Sequence, residues 1–113
     1  VTGLLAATEA LVDTLRAGGV RVTMDSRNLN LPTVLVVPPA FVGDANLGGL
    51  ATFTLFVVTR GPANLDAWKS LDSLLAQVVA LVDVREVRPS SYDVDGLGGS
   101  PALEITHDET LDW

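Results

Sequence analysis

The chain has 113 residues, 48% hydrophobic but only 5% aromatic, which predicts one domain (1–113) with an aliphatic core and excludes extensive disorder. It contains no cysteine, so a disulfide scaffold, an iron–sulfur cluster and a thiolate zinc site are excluded. A formal net charge of -7 disfavours long-range attraction to free nucleic acid or to an anionic membrane surface.

The first segment, TGLLAATEALVDTLRAGG, places Leu4, Thr8, Leu11, Val12 and Leu15 on one face at helical spacing. Thr2 is a candidate N-cap, and Gly18-Gly19 supplies the positive φ that ends a helix. With Glu9 and Asp13 present and no basic opening stretch, the segment does not read as a signal peptide; a start at Val1 is read as an initiator Met removed or left out of the numbering. No apolar run approaches the roughly 20 residues that span a bilayer.

VRVTMD alternates and predicts a first strand with Val20, Val22 and Met24 on one side. SRNLNLP is rich in turn-forming residues and predicts an irregular arm. TVLVV is a strand apolar on both faces, bracketed by Pro32 and by Pro38-Pro39, which cannot donate to a ladder. GDANLGG reads as the tip of a projecting hairpin. LATFTLFVVTRG is the longest strand, with Phe53, Leu55 and Val57 on one face and Thr52, Thr54, Phe56 and Val58 on the other.

PANLDAWKSLDSLLAQVVALVD predicts a second helix, capped by Asn64, with Asp66 in its first turn. Trp68, Leu71, Leu75, Val78 and Val82 form its expected buried stripe, widened by Leu74 and Val79. VREVRP fits a short strand or a frayed helix end. SSYDVDG and ALEITHDETLDW predict two final strands joined by GLGGS. The expected order is α-β-β-β-α-β-β. That gives an α+β fold: a mainly antiparallel sheet of four to five strands with two helices packed on one face. Strands apolar on both sides leave the second sheet face to be covered by loops or by another subunit.

The candidate chemistry is sparse. His107 is the single histidine and stands beside Asp108 and Glu109 with no nucleophile to serve, which points to a solvated or salt-bridged residue rather than a catalytic base. Asp93, Asp95, Gly98 and Glu104 occupy positions one, three, six and twelve of a calcium-loop template. Leu97 and Pro101 stand where ligands are needed, and strands flank it where helices should, so an acidic hairpin is expected instead. Neither glycine-rich stretch carries the Lys-Ser/Thr of a phosphate loop. No catalytic residue, metal or cofactor is expected. Trp113, after DETLD, reads as a free end or as an anchor for a neighbouring surface.

The layout MDSRNLNLPTVLVVPP, an opening helix ending in Gly-Gly-Val, a long strand, a second helix and short final strands resemble the tail terminator proteins of long-tailed phages, above all those infecting actinobacteria. The resemblance covers nearly the whole chain, in order and length more than in individual side chains. It implies a non-enzymatic virion subunit that forms a six-fold ring on the head-proximal end of the tail tube. Its partners would be further copies, the tail tube protein and the head connector, with DNA passing through the centre unbound.

On this footing Arg27, Leu29, Leu31, Phe41, Phe56 and Trp113 are candidate subunit or tube contacts, and Asp44, Asp93 and Asp95 candidate lumen residues. The alternatives are another head–tail neck subunit, or a small ligand-binding or enzymatic domain with its cleft beside GDANLGG.

Overall fold

A computed structural model describes residues 3–25, 31–44, 48–61, 64–93 and 99–111. Two helices and six strands follow the order α1 (Leu4–Ala17), β1 (Val22–Thr23), β2 (Thr33–Val36), β3 (Ala40–Asp44), β4 (Gly48–Val58), α2 (Leu65–Val79), β5 (Glu86–Asp93) and β6 (Gly99–Leu111). This is the expected α+β architecture, with one strand more than expected. The sheet runs β1-β2-β4-β6-β5, with β3 also paired to β4, and only β1 and β2 are parallel.

The additional strand comes from the proline pair. Val36 pairs with Leu55 and Ala40 with Thr52, so Val37, Pro38 and Pro39 face only Phe53 and Thr54. One residue is in excess, and the ladder carries a β-bulge there. Neither proline has an N–H to donate; Val37 keeps contact through its N–H to the Thr54 carbonyl (3.3 Å). The bulge reverses the parity of the strand. Val34 and Val36 point to the helix side before it, and Phe41, an odd number of residues on, packs against that same core after it. β2 and β3 are therefore two halves of one strand along the edge of β4.

α2 leaves β4 and leads into β5, which runs the same way as β4 with β6 between them. The helix must cross that gap, so its buried residues Ala67, Leu71, Leu74 and Val78 meet β4 and β6. Asn64 caps it as expected, its Oδ1 accepting from the Ala67 N–H at 3.0 Å. Trp68 does not join the core: it is 55% exposed. Ala67 takes the inward position, and the next residue lies 100° further round the helix. Val79, one residue past buried Val78, is 52% exposed for the same reason.

α1 buries Ala7, Thr8, Leu11, Val12 and Leu15. Gly3 stands at its N-cap without a side-chain bond, and Thr2 lies outside the described residues. At the other end Gly19 adopts φ 87°, while a Cβ on Gly18 would lie 2.3 Å from Leu81 Cδ1. One glycine turns the chain; the other lets the turn after α2 close against it.

The main core lies between the helices and one sheet face, with Phe53, Leu55, Val57, Leu103 and Ile105 at its centre. A smaller cluster on the far side contains Val58 and Ala102, with Leu31, Phe56 and Tyr92 packed around them.

Candidate functional site: the far side of the sheet and its tip

The side of the sheet away from the helices follows from the strand registers, row by row. At one end Val42 pairs with Leu50, and Leu50 with Thr110. Next comes Ala40 beside Thr52 and Asp108, then Thr54 beside Thr106 and Glu86. Leu35, Phe56, Glu104 and Arg88 form the following row. The face is thus apolar at both ends and polar across the middle.

The far-side end near Phe56 is closed by its own chain. Leu35 and Val58 are buried, and the Phe56 and Tyr92 rings lie with centroids 5.4 Å apart. The opposite end is not. Val42 is 74% exposed and its partner Leu50 43% exposed. β3, β4 and β6 end together at this tip; the sequence marks the hairpin at GDANLGG, but the pairing of Val42 with Leu50 comes from the strand register.

Two glycines bring its strands together. Gly43 and Gly49 are register partners, and a Cβ on Gly49 would sit 2.4 Å from the Val42 carbonyl oxygen. A side chain there would clash with backbone, which cannot swing aside.

The polar middle is held by paired charges. Arg85 binds Asp108 at 2.5 Å, and Thr52 donates its hydroxyl to the other Asp108 oxygen at 3.0 Å. Partial burial pushes the Asp108 carboxyl up. The Thr52 bond, the Arg85 guanidinium and the proximity of His107 outweigh that and hold it below its ordinary value. Arg88 pairs with Glu86.

Of the solvated and salt-bridged readings that its acidic neighbours suggest, His107 follows only the second, facing Glu109, and it is buried rather than solvated. It pairs with Phe53 on the helix side, continuing the inward alternation of Leu103 and Ile105, and is 8% exposed. Its Nδ1 lies 2.6 Å from the Asp83 carbonyl oxygen, which can only accept, so Nδ1 carries the proton. Nε2 faces Glu109 at 3.4 Å. The histidine ties the segment after α2 to β6, at the floor of a cleft of about 410 Å³ lined by Leu11, Thr14, Val82 and Asp108 among others. Among the described residues, no set of three or more His, Asp or Glu is placed to hold a metal ion.

The calcium-loop spacing does not bring its first and last positions together. Asp93 pairs with Gly99, whereas Glu104 lies five residues further along β6, about 17 Å away. A second apolar groove, of about 200 Å³, lies between Leu4, Leu5 and Thr8 of α1, Met24, Val36 and the Pro38-Pro39 bulge, away from the GDANLGG tip.

Of the residues singled out in the sequence, Phe41 packs on the main core and Leu31 and Phe56 on the far-side cluster. Asp44 ends β3 at the tip. Asp93 ends β5 beside Gly99, at the other end of β6, some twelve residues or roughly 40 Å away. The two are not brought together. Arg27, Leu29, Asp95, Trp113 and the side chains of Asp44 and Asp93 lie outside the described residues. Among the described residues no helix is long and apolar enough to cross a membrane. No protein-family model matches the chain, and no curated protein is significantly similar to it.

Proposed function

We propose that this chain is a structural virion protein, a tail terminator whose copies form a ring on the head-proximal end of a phage tail tube and join it to the head connector. The reading rests on the sequence resemblance. The observation that supports it most is the tip. A body 46 Å long ends in a three-stranded projection with an exposed cross-strand Val42–Leu50 pair. An in-register apolar pair at the end of a sheet suits insertion against a neighbouring subunit better than solvation. In this reading the chain is not an enzyme and takes no cofactor. Arg27, Leu29 and Trp113 join Val42 and Leu50 in the contacts between subunits or with the tube.

The net charge of -7 fits passage of DNA without binding. An acidic wall repels phosphates over about one Debye length, roughly 8 Å at physiological salt. Asp44, or Asp93 and Asp95, would supply that wall. Their separation means that they serve one level of the channel only if the strands lie across its axis. A ligand-binding domain is the weaker reading: the groove beside Pro38-Pro39 is smaller than the roughly 300 Å³ at which small-molecule pockets begin, and the cleft of about 410 Å³ at His107, though large enough, holds no metal-ligand set among the described residues.

Electron microscopy of the protein mixed with purified tail tubes tests the proposal. Rings capping one end of each tube, with tube growth stopped there, are expected. Free tube ends at saturating protein would refute it, and binding to connectors but never to tubes would reassign the chain to another part of the neck.

A further inference from the structure

On the helix layer, opposite the far side, α2 carries a second apolar stripe that lies mostly outside the core. Leu65, Trp68, Asp72, Leu75 and Val79 follow one another at spacings of three and four, the pattern of a helix-pairing seam. Leu65 is 64% exposed, Trp68 55% and Val79 52%, while half-buried Leu75 joins the stripe to the core. The helix has 15 residues, about 22 Å, long enough to seat three turns of a partner helix. At the middle of the seam stands one carboxylate, Asp72, exposed and in no ion pair among the described residues.

That carboxylate selects the occupant. Two copies of α2 packed antiparallel in full overlap would match Leu65 with Val79, but would set Asp72 against Asp72 and leave Trp68 opposite Ala76. Like charges facing each other in a closing apolar seam are unfavourable, and the net charge of -7 adds to the repulsion. We infer that the α2 stripe docks an amphipathic helix from a different protein, one bearing a lysine or arginine at the centre of its apolar seam. The inference does not depend on ring formation, since the stripe and the tip lie on different layers of the molecule.

The test uses Trp68 as reporter in a Trp113→Phe background. The probes are two synthetic amphipathic helical peptides with leucine at the seam positions, identical except for a central lysine or a central glutamate. Saturable blue-shifted emission is expected with the lysine peptide, with the glutamate peptide at least tenfold weaker. Asp72→Lys should reverse that order while leaving the circular dichroism unchanged. If neither peptide shifts the emission up to about 100 μM, or if Asp72→Lys leaves the order as it was, the inference fails. A concentration-dependent shift without peptide, strengthened in Asp72→Asn, would hand the stripe to a second copy of this chain and overturn it equally.

Discussion

The two ends of β4 both put apolar residues on the far side of the sheet, with opposite fates. At its Val58 end, Leu55 and Val57 point into the main core, Val58 is buried on the other side, and Phe56 stacks towards Tyr92. At its Gly48 end, Ala51 is just as buried towards the helices, yet Leu50 and its partner Val42 face outward uncovered. Both ends alternate, and both have apolar residues on the far side. The difference lies in what arrives from elsewhere in the chain: Leu31 and Tyr92 close one end, and among the described residues nothing closes the other. Apolar character marks a surface as needing cover; it does not say whether the cover comes from the same chain.

Substitutions separate the two ends by their effect on folding. Phe53→Ala, which empties the centre of the core that both ends share, should have the largest effect, a loss of about 3–5 kcal/mol by chemical denaturation. A loss under 1 kcal/mol would mean that the two layers pack more loosely than their burial indicates.

Asp108→Asn, between the two ends, should have a smaller effect that depends on pH. The folded carboxyl titrates below its unfolded value of about 4, so its contribution is present above that value and is lost as pH falls through the lower folded one. The melting-temperature gap between wild type and Asp108→Asn should therefore be widest near neutrality and close in acid. A gap constant with pH would show that the Arg85 and Thr52 contacts do not favour the charged form.

The double change Val42→Ser, Leu50→Ser should have the smallest effect on folding, about 0.5–1 kcal/mol, because Val42 is mostly and Leu50 partly in water already. Sedimentation and tube capping should nonetheless show assembly lost. If the variant unfolds instead, the tip belongs to the fold and the contrast between the two ends disappears.

Much of the fold could be read from local pattern. The helical periodicity of Leu4 to Leu15, the Asn64 cap and the alternation of Phe53, Leu55 and Val57 each state a local conformation and a buried side, because backbone geometry sets the period. The Pro38-Pro39 pair announced an interruption of the ladder. That the strand resumes at Ala40 with its parity reversed, so that Phe41 faces the helices, depended on pairing with β4. His107 shows the same limit. Its charged neighbours suggested water or a surface salt bridge, whereas its place in the alternation after Leu103 and Ile105 pointed inward; the strand ladder buried it and left only Nε2 facing Glu109.

What the sequence by itself determined is therefore both helices, five of the six strands and their order, since these follow from side-chain spacing along a regular backbone. Only the tertiary structure decided that Ala67 rather than Trp68 takes the inward position on α2, and that the far side is closed at Phe56 and open at Val42. Those outcomes depend on which distant segments reach a surface, and spacing within a segment carries no record of that.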